Sequence, residues 1–134
     1  MNRVVYPLCF DSQHRVLLVP DERPDAGGTL TLPMVRCQEA ESYTRASRRL
    51  LSGHAVRKGD VVARVRTISP EGQPREARLC TAHATAPADG REGQWIPWPD
   101  AVQFLKHLAL PDLDVFIEGY LGGWIPNGWI TLDA

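Results

Sequence analysis

Residues 32–56 read LPMVRCQEAESYTRASRRLLSGHAV and concentrate the side chains best suited to chemistry. His54 carries an imidazole, which titrates near neutral pH and can serve as a general acid or base. Arg36 and Arg49 carry guanidinium groups, which can hold a carboxylate or phosphate in a bidentate pair without any metal. Glu41 is the carboxylate nearest to them in a helix-forming stretch. Each has a plainer reading beside the chemical one. His54 is also the polar residue just past a helix stop at Gly53, where it would meet the helix dipole or water. Arg45, Arg48, Arg57 and Lys58 form a basic run of the kind that is normally a solvated face.

Other reactive types lie outside this segment. His83 sits in CTAHATA with Leu79 and Thr81 on its side of the strand, and faces either the cleft or the core. Tyr6 lies on the first strand, open to packing or to lining a site. Cys9 and Cys37 have no His or acid at a telling spacing, so they read as core or loop residues rather than nucleophiles.

The elements that must position these groups follow from periodicity. RVVYPLCF (3–10) and RVLLV (15–19), separated by DSQH, read as a hairpin, with Pro7 marking an edge or a bulge. PDERPDAGG (20–28) is a loop. TLTLPMVR (29–36) alternates and reads as one strand. Tyr43, Ala46, Ser47, Leu50 and Leu51 then fall on one helical stripe, with Ser42 as N-cap and Gly53 as stop. Two runs, 59–69 and 74–86, flank PEGQ as a long hairpin, and GQWIPW (93–98) is a short strand. PDAVQFLKHL opens like a helix. PDLDVFIEGYLGG puts Leu113, Phe116, Ile117, Tyr120 and Leu121 on one face of another. Strands, helix, strands, then two helices indicate an α+β domain.

The chain has 134 residues, 43% of them hydrophobic, which suits one domain with a real core. A formal net charge of −1 gives no general attraction to nucleic acid or to anionic membranes. The only lysines are Lys58 and Lys106, so thirteen of the fifteen basic residues are Arg, the type better suited to carboxylate and phosphate pairing. Three cysteines without CxxC spacing imply neither a disulfide framework nor a structural zinc site. MNRVVYPLCF lacks the long apolar run of a signal peptide, and a reduced cytoplasmic setting is the expectation. No membrane partner is expected.

The order of elements and the segment 32–56 together resemble the Nudix hydrolase family, whose box runs near LPGG…GE(S/T)…AA.RE…EE.G. Leu32-Pro33 and Glu41-Ser42 match, Ala46-Ser47 take the small-residue pair, and Arg49 takes the box arginine. Met34 and Val35 replace two glycines. The opening hairpin, GQWIPWPDAVQFL and LPDLDVFIEGYL are similar to the family's other segments. The resemblance implies a mixed or antiparallel sheet sandwiched by helices, α/β/α, as a single Nudix-like domain over 1–134. Residues 123–134 then form a C-terminal extension carrying Trp124 and Trp129, which either cover the domain's own core, cap the cleft, or meet a second copy in a homodimer.

The resemblance also implies where the family's metal-binding glutamates would stand, on Leu50, Gly53 and His54. Leu and Gly offer no ligand, and one imidazole suits softer metals better than Mg²⁺. No metal and no cofactor is therefore expected. Arg49 would brace the loop before the helix, or join Arg36, Tyr6, Leu50 and His83 around a small organic or anionic ligand. His54 and Glu41 are the candidate catalytic groups, for a metal-free isomerisation, elimination or cyclisation. Two alternatives stand beside this reading: a catalytically silent binding, sensor or protein-interaction module, and a hydrolase using displaced acids such as Glu22, Glu39 or Glu92. RNA binding, known in some members of the family, is disfavoured by the net charge and by the lack of aromatics in the basic run.

Overall fold

A computed structural model describes residues 2–22, 27–51, 56–68, 72–85, 93–108, 110–125 and 128–133. The strands are β1 (Asn2–Phe10), β2 (Arg15–Pro20), β3 (Leu30–Thr31), β4 (Val35–Arg36), β5 (Val56–Ile68), β6 (Pro74–Ala84), β7 (Gln94–Pro97) and β8 (Gly128–Asp133). The helices are α1 (Tyr43–Leu51), α2 (Trp98–Phe104) and α3 (Leu113–Leu121), with a 3-10 turn at Lys106–Leu108 after α2. All eight strands among the described residues join one mixed sheet in the order β3-β2-β1-β6-β5-β8, with β4 also pairing β1 and β7 pairing β2. The β1–β6 and β5–β8 pairs are parallel and the others antiparallel.

Both faces of the sheet are covered, which explains why β1 reads as a nearly unbroken apolar run. Val4, Tyr6, Leu8 and Phe10 of β1 join Val61, Ala63 and Val65 of β5 and Leu79 of β6 in the main core. Ala101 and Leu105 from the α2 segment and Leu113, Phe116 and Ile117 from α3 close that core. Val5 and Cys80 point the other way, onto Ala46 and Tyr43 of α1. The result is an α/β/α sandwich, an α+β domain as the order of elements indicated.

Helix boundaries follow local chemistry. The Ser42 hydroxyl accepts the Arg45 N–H at 3.1 Å, so Ser42 caps α1 as its type suggested. α3 closes with Gly122 N–H donating to Glu118 O and Gly123 N–H to Tyr120 O, and Gly123 takes a φ of 76°, which costs a glycine little. The 3-10 turn is tied to the sheet through His107. Its Nδ1 lies 2.9 Å from Phe104 O, its Nε2 3.2 Å from Thr31 Oγ1 and 3.5 Å from Asp21 Oδ2.

Two expectations need correction. Residues 29–36 are two short strands, because the chain changes neighbours: β3 pairs β2 through Val19–Thr31, while β4 pairs β1 through Val5–Val35. Leu32-Pro33-Met34 makes the crossing, and Pro33 has no N–H to give a ladder. Pro7 stands in an interior strand, opposite Cys80 of β6. On the other side of β1, β4 is paired at Val4 and Val5 and β2 at Phe10, so Pro7 falls between two partners and its missing donor is tolerated. The tail beyond α3 supplies β8, an edge strand parallel to β5 from Val61–Gly128 to Arg66–Asp133. Ile125 and Leu132 reach the main core, while Trp124 is 74% exposed.

Candidate functional site

The segment singled out by its residue types folds as a loop braced onto α1. Arg49, late in the helix, donates from Nε to Glu41 Oε2 at 3.1 Å and from Nη2 to Glu41 Oε1 at 2.9 Å. The same Nη2 donates to the carbonyl of Arg36 at 3.0 Å. Gln38 N–H donates to Glu41 Oε1 at 2.9 Å, so both carboxylate oxygens are engaged. The Arg49 bonds, and then the Gln38 amide, hold the Glu41 carboxyl down at about 2. A carboxylate so stabilised is a weak base, and its oxygens are committed. The arrangement ties β4, the loop and α1 into one unit.

A second anchor holds the start of α1. Two guanidinium groups lie over the Tyr43 ring, Arg78 at 4.3 Å and Arg3 at 5.4 Å from its centroid. Arg78 pairs with Glu76 at 2.6 Å, and Arg3 donates to Gln38 O at 3.3 Å. Arg45 and Arg48 on α1, and Arg57 and Lys58 on β5, are exposed.

The other face of the sheet carries a polar cluster at the ends of β1 and β6. His83 stands opposite Phe10 of β1 and Arg57 of β5. Its Nε2 is 2.5 Å from the Tyr120 hydroxyl of α3. Phe10, His83, Tyr120 and Phe116 pack ring against ring, with Phe10–Tyr120 centroids 5.6 Å apart. Beside them β5 shifts register between Lys58 and Val62, a bulge secured by Thr81. The Thr81 hydroxyl donates to Val61 O at 2.7 Å and accepts the Val61 N–H at 3.4 Å. Bulges are frequent next to sites because they re-aim side chains.

The structure thus separates the residues nominated from sequence. Glu41, Arg49 and the Arg36 carbonyl come together, and the Arg36 side chain is exposed. Leu50 lies in the last turn of α1, and Gly53, His54 and Glu92 lie outside the described residues. Tyr6 is 4% exposed within the main core. His83 is half-buried on the α3 face, away from the brace. Cys9 is fully buried, and burial pushes its thiol up to about 12. Glu22 and Glu39 are exposed, and no three of His, Cys, Asp and Glu gather among the described residues. Tyr120, Thr81 and Gly59 were missed. Tyr120 is part of the apolar stripe of α3, and Gly59 carried the better clue, a glycine inside a strand.

A divalent metal of the kind the family resemblance implies finds a poor donor set here. Glu41 is spent on Arg49 and Gln38, and positions 50 and 53 are Leu and Gly, without side-chain ligands.

No protein-family model matches the sequence, and no curated protein sequence matches it significantly. Solved structures do match. The Caenorhabditis elegans Ap4A hydrolase, crystallised as a binary complex, superposes with a TM-score of 0.73 at 16% identity, covering 92% of this chain and 99% of that one. A Nudix hydrolase from Nitrosomonas europaea gives 0.67 at 17% identity, covering 94% of this chain and 92% of that one. The Nudix domain of Shewanella oneidensis NrtR, complexed with ADP ribose, gives 0.58 at 19% identity, with 92% and 88% covered. The mixed sheet between α1 and the α2–α3 pair is the architecture of these proteins, and this chain has the Nudix fold.

Proposed function

We propose that this Nudix-fold protein binds a small organic or anionic ligand without the metal-dependent diphosphate hydrolysis of the family it resembles. One observation carries the reading: Glu41, the acid retained from the box, is bonded at both oxygens to Arg49 and Gln38. The residue types at 50, 53 and 54 support it, since by register they replace metal-binding glutamates with Leu, Gly and His. A metal-free reaction would run through His54 as general acid or base. ADP-ribose is the first ligand to try, because the similar Nudix domain of NrtR is complexed with it. The setting proposed is the cytoplasm; no described helix is long and apolar enough to cross a membrane. The exposed Trp124 supports a homodimer through the tail.

Titration calorimetry with ADP-ribose, in EDTA and then in Mg²⁺, tests the reading. Binding of similar strength in both buffers is expected, with no release of AMP. Binding that requires Mg²⁺, or hydrolysis of ADP-ribose or Ap4A that Glu41→Gln abolishes, overturns it. That second outcome would favour the hydrolase reading suggested by the similar structures, since two of the three named above are hydrolases. Product formation lost in a folded His54→Ala protein supports metal-free catalysis, and binding without product leaves a silent binding module.

A further inference from the structure

We propose that copies of this chain associate head to tail, the α3 face of one docking on the α1 face of the next. This gives Trp124 a partner surface and rests on the tail homodimer proposed above. The sheet separates two helix faces of opposite charge. Asp114, Val115, Glu118 and Gly122 follow at helical spacing on the solvent side of α3, while Leu113, Phe116 and Ile117 face the core. Trp124 extends that stripe. A Cβ at Gly122 would meet Trp124 Cε2 at 3.4 Å, so the indole rests against a position without a side chain. Trp124 is 74% exposed and Val115 62%. Together they make an open apolar patch rimmed by Asp114 and Glu118.

The α1 side is its complement. Arg45 and Arg48 stand three residues apart on the outer face of α1, turned from the Tyr43 and Ala46 that seat the helix. Both are exposed, and neither they nor Asp114 and Glu118 enter an ion pair among the described residues. Lys58 and Arg66 of β5 leave the sheet on the same side, opposite Ala82 and Glu76 in register. On the α3 side, exposed Asp100 and Asp112 stand against exposed Lys106 and Arg57. A formal charge of −1 thus conceals a dipolar molecule.

Charge complementarity selects a second copy as the occupant and fixes how it sits. An α3-on-α3 contact would bring the carboxylates of both copies together. Docking α3 on α1 instead sets Asp114 and Glu118 against Arg45 and Arg48. It also offers the Trp124 indole a guanidinium to stack on and Val115 the aliphatic stems. Trp and Arg are the types that carry most interface energy. Because the two faces lie on opposite sides of one sheet, the contact does not close in a pair and repeats as an open series.

Sedimentation velocity of the full chain over a wide concentration range tests this, in about 0.01 M and about 1 M NaCl, between which the screening length falls from about 30 Å to about 3 Å. At low salt the average mass should rise past that of a dimer, and high salt should weaken the association. Trp124→Ala should weaken it by about tenfold or more. The Arg45→Glu/Arg48→Glu and Asp114→Lys/Glu118→Lys proteins should each stay monomeric alone, because like then faces like. Mixing them should restore association, which also shows that both are folded. A wild type that is monomeric at every concentration overturns the proposal, as does association indifferent to salt. A mass that levels off at a dimer overturns the head-to-tail geometry. Undiminished self-association of Arg45→Glu/Arg48→Glu overturns the α1 partner and marks an isologous tail pair. A mixture that stays monomeric while both proteins melt like wild type overturns it too. ADP-ribose calorimetry on the monomeric variants reads the ligand proposal separately, so either can fail while the other stands.

Discussion

Replacing Gly59 with alanine sets two effects of opposite sign against each other. Gly59 has no positive φ to protect, so the backbone entropy argument favours Gly59→Ala by about 0.4–1 kcal/mol through the unfolded chain. The packing argument opposes it. The new Cβ would lie 2.3 Å from Thr81 Oγ1, 2.9 Å from Thr81 Cβ and 2.6 Å from Tyr120 Oη, all well inside van der Waals contact. Thr81 is 1% exposed and bonded to Val61, so it cannot swing away without losing that bond. Overpacking costs about 1–3 kcal/mol, and a forfeited hydrogen bond about 1 more. Packing therefore wins, by a net of about 2 kcal/mol. For 134 residues the unfolding entropy near the midpoint is about 0.28 kcal/mol/K, which turns that loss into a Tm lower by about 7 °C. Calorimetric melting of the wild type and Gly59→Ala measures it directly. A Thr81→Ala background removes the nearest clashing atom, so Gly59→Ala should cost about 1 kcal/mol less there. An unchanged or raised Tm in the single variant, or strict additivity in the double, refutes the steric account.

Two further outcomes follow from the titrating groups. Glu41 is held at about 2 by Arg49 and Gln38, below the ordinary carboxylate value of 4.5. Its stabilising effect is therefore complete above about pH 4.5 and is lost as pH falls toward 2. The Tm of wild type should fall more steeply than that of Glu41→Gln across this window, and parallel curves would show that the brace contributes nothing. Cys9 is fully buried with its thiol raised to about 12, while Cys37 is only partly covered. At pH 8 a thiol reagent should modify Cys37 in the native protein and reach Cys9 only after unfolding. Prompt labelling of Cys9 would contradict the packing of β1 against β2.

What could be read from the sequence was what depends on neighbours along the chain. The 3–10/15–19 hairpin, the Ser42 cap and the apolar stripe of α3 are local patterns, and the structure places each where the spacing put it. Partner choice was not local. The alternation in 29–36 is the same whether the residues face one neighbour or change from β2 to β1 halfway along. Pro7 reads as an edge residue until β6 is seen to pair with β1 beside it. Nothing in residues 128–133 announces a strand parallel to β5, because that pairing depends on where α3 returns the chain. The same limit applies to the site. Glu41 and Arg49 belong to one contiguous box, whereas His83 and Tyr120 are 37 residues apart and meet only across the folded core.

If metal chemistry is lost as proposed, α1 still has anchors of its own. The loop before α1 is held by Glu41, Arg49, the Gln38 amide and the Arg36 carbonyl, and the helix start by Tyr43 against Arg3 and Arg78. None of those bonds uses position 50, 53 or 54. Among the described residues the helix is seated through Ala46 and Tyr43 on Val5 and Cys80. The bonds of the brace would survive replacement of ligand-bearing residues at those three positions, as the proposed function requires. The bonds that hold the loop are also what lower the Glu41 titration. The brace and the His83–Tyr120 contact lie on different sides of one sheet, so substitutions at Glu41 or Arg49 should alter stability without disturbing that contact.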